Sequence, residues 1–286
     1  MIDWVKITNT DFDYTIDYSP TKPVSLKPLD AALYTISEIQ KKYPPPYTLF
    51  LSGGVDSQAM LYAWHISKAP YKTFSAIYNF NFNDHDLENL RLFSKTIDAD
   101  INFEYFNLLN FLQDEFPTYA HTYRCASPQI CTFMKMVSTI QEGTCIFSGN
   151  FIHLRERFVD KNNFGMYTYA KKENKNIVPW FFVETEELAY SFFRPNDDSK
   201  KDYENKCKLY IENGFPIIPQ TTKYTGFEVI KDYYDMNFGY MLTKSDRMVR
   251  SLRQPSTRKF DSLYRNNYDM KFASDKYFLI HRDRLC

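Results

Sequence analysis

Two hydrophobic periods alternate along the first half of the chain. Leu29, Ala32, Leu33, Ile36 and Ile39 recur at helical spacing, and Pro44-Pro45-Pro46 stops the helix they predict. Tyr47 to Leu51 is a short apolar run of buried-strand type that leads into Ser52-Gly53-Gly54-Val55-Asp56-Ser57. Ala59, Met60, Tyr62, Ala63 and Ile66 then predict a second helix. The alternation continues with a strand over 73–80, a helix over 84–97, a strand over 101–106, a helix over 128–140 and a strand over 144–147. That last strand ends in Ser148-Gly149-Asn150. Strands separated by helices of this length predict an α/β fold, a doubly wound and mostly parallel sheet covered on both faces. In such sheets ligands bind at the carboxyl ends of the strands, where both Ser52–Ser57 and Ser148–Asn150 fall.

The pattern is different at the two ends. Residues 1–27 alternate only in part and predict a short strand pair or an extended arm. Residues 153–176 are polar and read as a long loop, followed by helical patterns near 185–193, 202–213, 227–234 and 244–253 and a strand at 276–280. The expected organisation is an N-terminal arm and helix over 1–46, an α/β core over 47–150, and a helical C-terminal half over 151–286 packed on the core. No Gly/Ser/Pro-rich linker separates the halves.

Charge excludes some classes of function. Lys+Arg and Asp+Glu each number 35, so the chain does not work by being strongly basic or acidic overall. The longest strongly apolar stretch, Ile177 to Val183, is far short of the about 20 residues of a membrane span. The first residues lack the basic and apolar regions of a signal peptide. Five cysteines, an odd count without a CxxC pair, argue against a disulfide framework or a zinc ribbon. A reducing cytoplasm is the expected compartment. Aromatic residues reach 18%, with few glycines; an AT-rich coding genome, such as that of a virus, would produce this mix.

The glycine loop carries the chemistry. It follows a strand and opens a helix, where free N–H groups and the positive end of the helix dipole suit a phosphate. Gly53 and Gly54 let a ligand approach the backbone, and Ser52 and Ser57 add hydroxyl donors. Asp56 would repel phosphates unless Mg²⁺ lies between them, so the loop predicts a magnesium–pyrophosphate site. No Lys follows the glycines, so it is not a Walker A loop. The competing structural reading, a tight strand-to-helix turn, explains the glycines but not the combination with Asp56 and Ser57.

LFLSGGVDS resembles the pyrophosphate loop of the N-type ATP pyrophosphatases, and the chain is most similar to the synthetase domain of the asparagine synthetase family. Three further segments follow in the family's order: the helix from Ser127-Pro128 leading to CIFSGN, then NIVPWFFVETEELAYSFF, then IPQTTKYTGFEVI. The resemblance spans roughly Leu29 to Ile230. It implies ATP and Mg²⁺ as cofactors, adenylation of a carboxylate or amide-type oxygen, release of pyrophosphate, and displacement of AMP by an amine. It implies that Ser52, Gly53, Gly54 and Ser57 hold pyrophosphate, that Asp56 holds magnesium, and that Lys223 meets the leaving phosphates. Leu51, Tyr78 and Asn79 would line the adenine pocket, and Ser148 and Gly149 would join them in binding the nucleotide. The chain departs from the family after Ser148-Gly149, where no acidic residue occurs until Glu156, leaving Asn150 or water for the metal. A glutaminase half is not expected from the residues before the loop, so the amine is expected as ammonia, from a partner or within the substrate.

Two other features bear on alternatives. Cys125, Cys131 and Cys145 would matter in a sulfur-transferring or nucleobase-modifying member of the same superfamily. The stretch 244–286 holds eleven basic against five acidic side chains, a possible grip on nucleic acid but more often a partner for the acidic remainder of the chain. A third reading is a nucleotide-binding protein without catalysis.

Overall fold

The computed structural model describes residues 6–9, 14–17, 26–79, 83–123, 125, 128–149, 163–192 and 203–219. Lys6–Asn9 (β1) and Tyr14–Asp17 (β2) form a separate antiparallel pair. The main sheet begins with Tyr47–Phe50 (β3), which is buried at every position. Burial on both faces is what a central strand of a parallel sheet requires, and a continuous apolar run supplies it.

From β3 the chain steps outward in one direction to Lys72–Tyr78 (β4) and Phe103–Phe106 (β5). It then returns to the other side of β3 for Thr144–Phe147 (β6) and Asn176–Val178 (β7). The spatial order is β5-β4-β3-β6-β7, and every pairing in this five-stranded sheet is parallel. The winding reverses between β3 and β6. In open α/β sheets ligands bind outside the carboxyl ends of the strands at such a reversal.

Helices cover both faces. On one lie Pro28–Lys42 (α1), Val55–Ser67 (α2) and Asp84–Ile97 (α3), packed on Tyr47, Leu49, Leu51 and Ile146. On the other, a helical stretch comprises Leu108–Asn110 (α4), a π-turn over Phe111–Glu115 and Phe116–Tyr123 (α5). With Pro128–Ser138 (α6) and Asn163–Lys172 (α7), it packs on Phe50, Phe74, Phe147 and Ile177. Glu186–Ser191 (α8) and Tyr203–Glu212 (α9) join the first face. The α/β doubly wound class read from the sequence is thus the observed one.

Just below the crevice, three phenylalanines in register stack across the strands. Phe50 lies 4.8 Å from Phe74 and 4.5 Å from Phe147, ring centre to ring centre. Offset aromatic stacking of this kind adds about 0.5–1.5 kcal/mol per pair beyond area burial, and gives the loops above a rigid floor.

Two expectations need correction. The stretch taken as loop over 153–176 contains α7, and β7 extends the sheet beyond residue 150 into the part expected to be helical. The helices expected over 227–234 and 244–253 and the strand over 276–280 lie outside the described residues, as does the basic stretch 244–286.

Candidate functional site

The glycine loop sits where β3 ends and α2 begins, and Ser148-Gly149 leaves the neighbouring strand β6 beside it, because Phe50 and Phe147 are register partners. The two turns expected to face one crevice are therefore adjacent. Leu51 is buried among α1, α2 and the sheet. Its N–H donates to the Phe74 carbonyl, and its own carbonyl accepts from Ser75 Oγ. Both bonds tie the end of β3 to β4.

The two glycines have different reasons for being glycine. Gly53 has φ +88, and a Cβ there would lie 2.1 Å from the Asp86 carbonyl oxygen. The loop is pressed against the first turn of α3, and only glycine fits. Gly54 has φ −68 and ψ 160, which any residue adopts, and a Cβ there would meet only Ser52 Oγ at 3.5 Å. Packing does not require glycine at this position. The hydroxyls brace the turn. The Gly53 N–H donates to Ser57 Oγ at 3.1 Å, Ser57 Oγ donates to the Gly54 carbonyl at 2.8 Å, and the Gly54 N–H lies 3.4 Å from Ser52 Oγ. Ser57 is buried, whereas Ser52 is exposed.

A buried amide network ties the loop to a distant segment. Gln58 Nε2 donates to the Gly53 carbonyl at 2.9 Å and to the Ile218 carbonyl at 3.1 Å, while Gln58 Oε1 accepts the Ile218 N–H at 2.7 Å. Asn89 Nδ2 donates to the Ile218 carbonyl at 3.0 Å and lies 3.4 Å from that of Gly53. Asn83 performs a similar service at the neighbouring strand end. Its side chain accepts the Tyr78 N–H and donates to the Ala76 carbonyl, joining β4 to the start of α3.

Asp56, the expected magnesium ligand, is engaged by protein groups. Its Oδ2 accepts from Lys206 Nζ at 2.6 Å and its Oδ1 from the Tyr210 hydroxyl at 2.6 Å, both from α9. Burial first, and then the Asp56 charge, push the Tyr210 phenol well above its ordinary range, so it stays a donor. Among the described residues no group of three or more His, Cys, Asp or Glu side chains converges. One carboxylate already holding two donors does not make a magnesium seat by itself. An ion arriving on a nucleotide would have to share Asp56 with Lys206 or displace it.

The remaining residues fall on both sides of the crevice. Gly149 has φ +67, and a Cβ there would strike Trp180 at 2.4 Å, so that turn is shaped by packing. The Ser148 carbonyl accepts the Phe182 N–H at 3.4 Å. Tyr78 and Asn79 are buried at the carboxyl end of β4, next to β3, and the Tyr78 ring meets Phe106 edge-on. Burial, followed by the Asp86 charge, pushes the Tyr78 phenol far up. Lys223, Asn150 and Glu156 lie outside the described residues.

Cys125, Cys131, Cys145 and Cys207 are all buried. Burial, with a hydrogen bond involving Cys125, pushes the Cys131 thiol up, and burial pushes that of Cys145 up to about 12. Sequence reasoning missed Lys206, Tyr210, Gln58 and Asn89. Only Gln58, adjoining the serine that ends the motif, had a positional signal.

No protein-family model matches the chain, and no curated protein matches it. The class that the fold itself defines is the doubly wound α/β protein with its glycine loop at the switch point. Among the described residues no helix is long and apolar enough to cross a membrane.

Proposed function

We propose that the chain is an ATP-dependent, AMP-forming synthetase that adenylates a carboxylate or amide-type oxygen, releases pyrophosphate, and joins the activated group to an amine. The observation that carries this reading is the Ser-Gly-Gly-Val-Asp-Ser loop at the switch point of the sheet, open on the Gly54 side and backed by the N-terminus of α2. In this reading Ser52, Gly53, Gly54 and Ser57 bind the phosphates that leave. The rim formed by Tyr78 and Asn79 receives the base, and Ser148-Gly149, at the end of the neighbouring strand, completes the nucleotide site. Magnesium, when bound with ATP, neutralises phosphate charge. The chain's own contribution is positioning and fixed charge aimed at the departing pyrophosphate.

Lys223 is proposed as the cation meeting the β- and γ-phosphates. Support comes from Ile218, five residues earlier, whose backbone is tied by Gln58 to the loop carbonyl of Gly53. Five residues of chain reach at most about 18 Å. The amide-forming reading is preferred to sulfur transfer because thiols buried among apolar groups are poor nucleophiles, and Cys125 and Cys131 are both fully buried.

The test uses ATP labelled in the α- and γ-phosphates, the full chain, magnesium and a pool of carboxylate metabolites with ammonia. AMP and pyrophosphate are the expected acceptor-dependent products. ADP and orthophosphate as the main products would overturn the reading.

A further inference from the structure

Asp56 poses an electrostatic difficulty for any phosphate at the loop. It is the second residue of α2, directly after the open glycine and Val55, and its side chain is only 17% exposed. A bare carboxylate there opposes the polyphosphate that the loop is shaped to accept. The usual remedy is a metal ion between the two charges. In this chain the carboxylate already has a counter-charge. Lys206 Nζ lies 2.6 Å from Asp56 Oδ2, its side chain is 9% exposed, and Tyr210 fills the other oxygen from one helical turn further along α9.

We propose that Lys206 is the positioning cation of the phosphate loop, cancelling Asp56 so that the loop accepts a polyphosphate without a metal ion on that carboxylate. With Asp56 neutralised, the positive end of α2 attracts anions. Lys206 acts on the ligand through Asp56. The inference rests on the nucleotide reading above and goes beyond it by replacing metal charge with chain charge at Asp56.

The experiment is titration calorimetry of the full chain with inorganic pyrophosphate and with ATP, each in EDTA and in excess magnesium. The wild type is expected to bind pyrophosphate in EDTA within about threefold of its affinity in magnesium, a difference under 1 kcal/mol. Lys206→Met exposes the Asp56 charge and should weaken binding in EDTA by about tenfold or more, with magnesium restoring most of the loss. Lys206→Arg should retain EDTA binding. In the double variant Asp56→Asn/Lys206→Met both charges are gone, and EDTA binding should return to within about threefold of wild type, the non-additivity that marks a coupled pair. Asp56→Asn alone should tighten EDTA binding, and weaker binding there would overturn the proposal even if Lys206→Met failed to fold. Undiminished EDTA binding by a folded Lys206→Met would also overturn it, as would wild-type binding that requires magnesium. A wild type that binds neither ligand in either condition would remove the nucleotide reading itself.

Discussion

At the scale of single residues, the glycine pair separates fold from function. Gly53 carries a positive φ and faces the Asp86 carbonyl, so Gly53→Ala is expected to cost about 2–4 kcal/mol through backbone strain and a forced shift of α3. Gly54→Ala has room and an ordinary conformation, so its stability should change by less than about 1 kcal/mol. Its methyl group would nonetheless stand where the loop is open, and pyrophosphate affinity should fall by about tenfold or more. Urea unfolding and calorimetry of the two variants check this; equal loss of binding without loss of stability in Gly53→Ala would refute the division. The motif made all of these loop residues legible, because each sits within six consecutive positions. Lys206 was not legible. It lies 150 residues from Asp56, and a lysine on an ordinary helix carries no pattern that announces an ion pair.

At the scale of elements, Gln58 couples α2 to the segment that follows α9. Gln58→Leu would remove the acceptor for the Ile218 N–H and a donor to two carbonyls, at a cost of about 2–3 kcal/mol. The specific readout is hydrogen exchange, with the Ile218 amide expected to lose protection in the variant while amides of β3 keep theirs. Unchanged exchange at Ile218 would show that Asn89 alone holds the segment. Elements with strong periodicity were readable from sequence, and α3 and β6 begin and end where the pattern put them. α7 was not, because it packs through Gly165, Met166 and Tyr169, a face that includes a glycine and a phenol rather than aliphatic residues at helical spacing. β7 has three residues, too few for a period to be expressed.

At the scale of the whole molecule, Glu184 joins the end of α1 to the turn that follows β7, two segments far apart in the chain. It is buried and accepts from Lys42 Nζ at 3.3 Å and from the Tyr43 hydroxyl at 3.0 Å. Burial raises its pKa above the ordinary value of about 4.3, and this outweighs the lowering by Lys42 and Tyr43. The folded chain therefore binds more protons at this site than the unfolded chain, so its contribution to stability falls as pH rises from about 4.3 through the folded pKa. Urea denaturation from mildly acidic to neutral pH should show wild type losing ground to Glu184→Gln as pH increases. A difference between the two proteins that stays flat or runs the other way would contradict the assignment. The doubly wound class was legible because strand and helix signals alternate in order. The sheet order, with its reversal between β3 and β6, was fixed by tertiary pairing.

The amide network around Ile218 also has a consequence for the order of events during synthesis. Gln58 leaves the ribosome 160 residues before its backbone partner does. At about 5–20 residues per second, that interval is roughly 8–30 seconds. Throughout it the glycine loop of the growing chain lacks one of its braces, and Asp56 waits almost as long for Lys206. A prematurely terminated product lacking both partners therefore carries the loop sequence without its finished geometry.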